Sequence, residues 1–205
     1  MRYNRRRQQL FEKFVKNPAA ANSNERILAV ATRMAQAHGY GGLSVRALAD
    51  EVGIKAASLY YHFPSKADLA AAVARRYWED SVVALDALAA GAADPVASLR
   101  QYPQTFRQSL ENDNRMCLSS FMAAEFDDLP ANVQHEVKAF ADVNVAWLVR
   151  QLVAADLAPP AQAPARASAI FAAVAGAQLM ARGRADLALF DTLIETYQAC
   201  GLLPA

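Results

Sequence analysis

The stretch that decides the fold is "GIKAASLYYHFPSK", Gly53 to Lys66. Tyr60, Tyr61 and His62 stand side by side in an alanine-rich chain, and Phe63-Pro64-Ser65-Lys66 follow. A short helix beginning near Lys55 or Ala56 turns by about 100° per residue. With Leu59 at the origin, Ala56 and Phe63 fall within about 60° of it, on the side that packs inward. Ala57 and Tyr61 point the other way, Ser58 and Tyr60 lie on the flanks, and His62 is near Ser58. The outward face is therefore Ala57, Ser58, Tyr60, Tyr61 and His62, with Lys55 at its start and Lys66 just past its end. A helix core has no use for so many large side chains on one turn, so the outward set faces something else.

That face suits DNA. Small residues let a helix lie deep in a major groove, hydroxyls and imidazole bond phosphates or base edges, a tyrosine ring meets a thymine methyl, and lysines neutralise phosphates. Upstream, Ser44 is a candidate N-cap for "VRALADEV", whose Val45, Leu48, Ala49 and Val52 share one face. Gly53 ends that helix and Pro64 ends the next. Two short helices about a glycine turn form a helix-turn-helix, whose second helix reads the groove. A helix from about Asn24 to His38 precedes them, with Ile27, Leu28, Ala31, Met34 and Ala35 as its apolar stripe and Gly39 as its stop.

Charge divides along the same line. Residues 1–66 hold 11 Lys/Arg and 4 Asp/Glu, a net of +7, whereas residues 67–205 hold 10 and 16, a net of −6. A basic front and an acidic back place the polyanion contact in the front. An architectural, non-specific DNA binder is disfavoured by that acidic back. The expected organisation is a basic extension at 1–22, a helix-turn-helix domain at 23–66 and a helical domain at 67–205. Within the extension, Arg5, Arg6 and Arg7 form a basic cluster, and Leu10, Phe11, Phe14 and Val15 have the spacing of a short amphipathic helix.

The segment "NERILAVATRMAQAHGYGGLSVRALADEVGIKAASLYYHFPSKADLAAAV", 24–73, resembles the DNA-binding domain of the TetR-type bacterial transcriptional regulators, in "SVRALADEVGI" and "LYYHFPSK" above all. The resemblance implies an all-α protein: a three-helix DNA-binding domain, a variable helical domain for a small ligand, and a homodimer on a palindromic operator. Most such proteins are repressors released by their ligand. Carried over by position, Ser44 and Arg46 are expected near phosphates, Lys55, Ala57, Ser58 and Tyr61 face bases, and Tyr60, His62 and Lys66 hold the backbone. Ala57 stands where many members carry glycine or serine.

The rest of the chain reads as further helices. Ser65 caps one from Lys66 to about Ala89, and Pro103 interrupts the next. No segment alternates with period two, and no Gly-rich phosphate loop or repeat is present. Trp78, Phe106, Met116, Cys117, Phe121, Met122, Phe140 and Trp147 are candidates to line a ligand cavity among the middle helices. The scarcity of charge among them favours an apolar or weakly polar ligand. Cys117, expected at a helix start two residues after Arg115, carries the alternative reading of a thiol sensor of electrophiles or oxidants, because a helix N-terminus and a cation both lower a thiol pKa. Small residues at helical spacing in the last two helices, Ala165, Ala169, Ala172, Ala173, Gly176 and Ala177, fit a close helix seam, either inside the subunit or between two subunits. The resemblance favours a four-helix dimer seam built from both copies of these helices, with Ala169, Ala173 and Gly176 as its candidates.

Other classes fare less well. His38, His62 and His135 fit no catalytic pattern, and Glu125 with Asp127-Asp128 reads as a solvated or capping cluster before a metal site. No catalytic residue, metal or cofactor is expected. Cys117 and Cys200 lack metal-like spacing, and with no secretory pattern or membrane-length apolar run they point to a reducing cytoplasm.

Overall fold

The computed structural model describes residues 18–205, and side chains from Ser23 onward. The arginine cluster at 5–7 and the helical pattern at 10–15 lie outside the described residues. Among the described residues all regular structure is helical. Helix α1 spans Pro18–His38. It begins earlier than the expected Asn24, since Ala19-Ala20-Ala21 favours helix and proline fits a first turn. Helices α2 (Val45–Val52) and α3 (Ala56–His62) form the helix-turn-helix. Gly53 joins them at φ 76°, a left-handed position where a Cβ is strained.

Helix α4 (Lys66–Gly91) is followed by α5 (Pro95–Gln101) and α6 (Gln104–Glu111), divided at Pro103. Then come α7 (Leu118–Ala124), a 3-10 turn at Phe126–Asp128, α8 (Ala131–Ala154), α9 (Ala163–Arg184) and α10 (Leu187–Ala199). The starts are chemically marked. The side chains of Ser44, Ser65, Asp94 and Asp186 accept from the backbone N–H of Ala47, Asp68, Ala97 and Leu189. Each such cap satisfies an otherwise orphaned donor and contributes about 1 kcal/mol.

Two apolar cores follow from this order. The first gathers Ile27, Ala31 and Ala35 of α1 with Leu48, Val52, Leu59, Leu69 and Val73. It also takes Leu118 and Met122 of α7 and Val133 and Val137 of α8, so the second half of the chain seals the first. The second core holds Leu99, Tyr102, Phe106, Phe140, Trp147, Ile170, Val174 and Phe190. Helices α4 and α8 pack along one another and contribute to both.

Polar contacts tie α4 to its neighbours. The Glu136 carboxylate of α8, only 3% exposed, accepts from Arg75 Nε at 3.0 Å and from Trp78 Nε1 at 2.8 Å. Burial alone would push this carboxyl up; the Arg75 and Trp78 hydrogen bonds and the Arg75 charge outweigh it and hold the group below its ordinary range. Arg76 pairs with Glu25 of α1 and with Asp80 one turn along α4.

Candidate nucleic-acid interface and ligand cavity

The α3 face has the orientation its spacing predicts. Leu59 is buried, whereas Tyr61 is 87% and Tyr60 50% exposed. Ala57, Ser58 and Lys55 are exposed beside them, and His62 is half-buried with its ring edge-on to Tyr61. Tyr60 and Tyr61 thus expose ring surface on a seven-residue helix, beyond the one edge contact with His62, among the described residues. On α2, Arg46 is exposed and Ser44 caps the helix at the same end. The Ser44 oxygen accepts from Ala47 N at 3.3 Å, which leaves its own O–H to donate. Lys66 is half-buried: Nζ donates to Gly41 O at 3.1 Å and sits 4.6 Å from the centre of the Tyr40 ring. It pins the α1–α2 loop and keeps two further N–H donors.

That loop is also held from the far side. Gly39 has φ +67°, and a Cβ there would lie 2.4 Å from the Glu125 carboxylate oxygens. Glu125 accepts from Tyr40 N at 2.8 Å. The carboxylate that reads in sequence as a solvated or capping cluster member thus fastens the segment after α7 to the loop between α1 and α2. No group of three or more His, Cys, Asp or Glu side chains suited to a metal occurs among the described residues.

Between α1, α4, α6 and α8 lies a cavity of about 400 Å³. Its deep end is formed by Leu85, Phe106 and Phe140 with Cys117. Its wall includes Tyr77, Asp80 and Ser81 of α4, and Thr105, Gln108, Ser109 and Asn112 on and after α6. Thr32 and Gln36 of α1 complete it, so the helix that precedes the helix-turn-helix is part of the cavity.

Of the eight residues expected to line a cavity, Phe106, Cys117 and Phe140 do so. Met122 is instead packed in the first core, and Trp147 stacks on Tyr102 in the second, at 5.7 Å between centroids. Trp78 is turned to Glu136, Phe121 lies under the Arg182 guanidinium at 5.0 Å, and Met116 is buried outside the cavity lining. The cavity is also more polar than the aromatic residues imply. Thr32, Gln36, Gln108, Ser109 and Asn112 carry no sequence signal, because a polar residue on an amphipathic helix reads the same whether it faces water or a cavity.

Cys117 precedes α7, and its surroundings oppose the effect of the helix start. It is buried, and burial pushes its pKa up despite hydrogen bonds from Ser120 and Tyr77 that act the other way. Desolvation of the thiolate outweighs the helix-start effect expected from its position. Cys200 is exposed, near the C-terminus.

Among the described residues, helix α9 exposes one face. Ala165, Ala169 and Ala172 are exposed and Gly176 half-exposed, and Leu179 at 56% and Met180 at 48% extend the strip. Ala173 sits at its flank, half-buried, while Ala177 turns fully into the second core. Among the described residues, no helix is long and apolar enough to cross a membrane.

Residues 27–73 match the family described as bacterial regulatory proteins, tetR family. The whole fold is similar to solved structures. A TetR transcriptional regulator from Legionella pneumophila shares 28% identity over 86% of this chain and 95% of its own, at a TM-score of 0.80. A TetR-family regulator from Agrobacterium tumefaciens also shares 28% identity, over 90% and 98%, at 0.80. A similar fold at 15% identity, over 88% and 97% with a TM-score of 0.65, occurs in the regulator FadR from Bacillus subtilis in complex with stearoyl-CoA. A comparison with curated proteins gives no match.

Proposed function

Because this chain belongs to the TetR-type bacterial transcriptional regulators and carries their DNA-binding domain, we propose that it is a homodimeric repressor whose operator complex is released by a small molecule in the α1/α4/α6/α8 cavity. Ala57, Ser58 and Tyr61 with Lys55 face bases in a palindromic operator. Tyr60, His62, Lys66, Ser44 and Arg46 hold its phosphates. The dimer seam is the exposed face of α9, centred on Ala169, Ala173 and Gly176 and extended by Leu179 and Met180.

The observation that carries the release mechanism is the position of the cavity. One of its walls is α1, a helix of the reading head, and another is α4, which runs from Lys66 beside the head to the cavity residues Tyr77, Asp80 and Ser81. A molecule wedged there changes the angle between head and body. In a dimer it thereby alters the separation of two α3 helices that must meet major grooves about 34–36 Å apart. A ligand shifts such an equilibrium only by its preference for the misfit spacing, typically about 1–3 kcal/mol, or roughly 5–150-fold in operator affinity.

A cavity-filling substitution tests this without knowledge of the ligand. Ser81→Phe places a ring in the cavity; the protein should keep its helical circular dichroism and its dimer mass, and lose operator affinity within that range. A folded, dimeric Ser81→Phe protein with unchanged operator affinity contradicts the mechanism. The second reading, a thiol switch at Cys117, draws support from the place of that thiol in the cavity wall. Cys117→Ser separates the two readings: it abolishes a thiol switch and leaves release by a non-covalent ligand intact.

A further inference from the structure

The cavity has an apolar end and a polar mouth, and the side chains at the two ends are in different states. At the deep end, Phe106 and Phe140 belong to an aromatic cluster in which Tyr77 and Phe140 lie 5.5 Å apart and Phe171 is 6.1 Å from both phenylalanines. The polar groups nearest them are engaged. Asn144 accepts from Tyr102 Oη at 3.0 Å and donates to Phe140 O at 2.9 Å. Thr105 and Ser81 donate to carbonyls of Tyr102 and Tyr77, and the Tyr77 hydroxyl meets Cys117 and Ser109.

Charge is engaged as well. Asp80 is the charged residue in the wall, and both its oxygens accept from Arg76 Nε, at 2.8 and 2.9 Å. A cationic ligand would compete with Arg76 for Asp80, and an anionic one would face Asp80 with no cation in the lining to receive it. The remaining polar capacity belongs to Gln36 of α1, Gln108 of α6 and Asn112 just after α6. Their side chains make no hydrogen bond among the described residues. Each carboxamide offers two donors and one acceptor oxygen.

On the reading that this cavity is the effector site, we propose that its ligand is an uncharged amphipathic molecule: a ring system seated on Leu85, Phe106 and Phe140, bearing a neutral head, amide-like or hydroxylic, that bridges Gln36 of the DNA-binding head to Gln108 and Asn112 of the ligand domain. The bridge makes the head group a direct link between the two parts of the protein. An apolar tail alone fills the pocket without joining them.

The test uses four compounds of similar size with the full-length protein, by calorimetry and ligand-observed NMR: phenylacetamide, phenylacetate, phenethylammonium and n-propylbenzene. Phenylacetamide should bind about tenfold or more tightly than each of the others, the difference expected for hydrogen bonds made by a matched neutral head. Gln36→Leu and Asn112→Leu should each weaken phenylacetamide several-fold and leave n-propylbenzene unchanged, which also shows that the variants keep the pocket. The proposal is overturned if a charged probe binds best, if n-propylbenzene equals phenylacetamide, if no probe binds, or if both leucine variants bind phenylacetamide as the parent does. Operator affinity, measured separately, keeps the two levels apart. Selective phenylacetamide binding that leaves DNA affinity untouched removes the effector reading and keeps the ligand class. Ser81→Phe weakening DNA binding while no probe binds does the reverse.

Discussion

At Gly39 one missing methyl group supports two contacts at once. Its φ of +67° is left-handed, and the space a Cβ would occupy holds the Glu125 carboxylate that accepts from Tyr40 N. Gly39→Ala should therefore cost about 1–2 kcal/mol in backbone conformation and roughly 1.5–3 more as the charged hydrogen bond is displaced. Glu125→Ala should cost only the second part, and the double variant should be no less stable than Gly39→Ala, since the bond is already lost. Urea unfolding of the three variants checks this; additive losses would show that the two residues act separately. Tyr61 behaves oppositely. At 87% exposure its replacement by alanine should leave the urea midpoint unchanged, while reducing discrimination between operator and scrambled duplex. Lys66→Ala should weaken binding to both duplexes and reduce the salt slope by about one.

At the scale of elements, α4 is the shaft between head and cavity, and Glu136 fastens it to α8. Glu136→Gln should destabilise the protein at neutral pH by roughly 1–3 kcal/mol. The loss is moderated because the Arg75 side chain is 58% exposed and regains water. The folded-state pKa of Glu136 lies below its ordinary 4.5, so its contribution is complete above that value and disappears as pH falls through the folded pKa. Parent and Glu136→Gln should thus converge in thermal stability in acid and diverge above pH 4.5; parallel curves across the range would remove the ion pair as the cause. Element boundaries were legible where chemistry marks them. Ser44, Ser65, Gly53 and Pro103 stand where helices begin, end or divide, because a cap, a left-handed glycine or a missing N–H acts locally. The α3 face was legible for the same reason, since 3.6-residue periodicity orients side chains before any tertiary contact forms. The cavity was not. Which of several aromatic residues borders empty space depends on how helices cross: Met122 and Phe106 look alike in sequence, yet one seals the first core and the other faces the void. The pull of burial on the Cys117 thiol was hidden likewise, being a property of the surroundings and not of the helix start.

At the scale of the whole molecule, a helix-turn-helix domain stands on an acidic helical body, and α9 exposes an apolar face among the described residues. A Cβ at Gly176 meets nothing within 4 Å in the single chain, so Gly176→Glu should fold normally. By burying a charge in the seam it should give monomers in light scattering and weaken operator binding; a Gly176→Glu protein that stays dimeric places the seam elsewhere. The proposed function rests on sequence-specific DNA reading by α3. Selection from a random duplex library with the full-length protein, followed by fluorescence anisotropy at fixed salt, tests it most directly. The parent should enrich a palindrome and bind it at least about 10³-fold more tightly than a scrambled duplex, and the Lys55→Ala/Tyr61→Ala protein, equally folded and dimeric, should lose most of that ratio. Enrichment of no motif by the parent, or an undiminished ratio in the double variant, would show that α3 does not read the sequence.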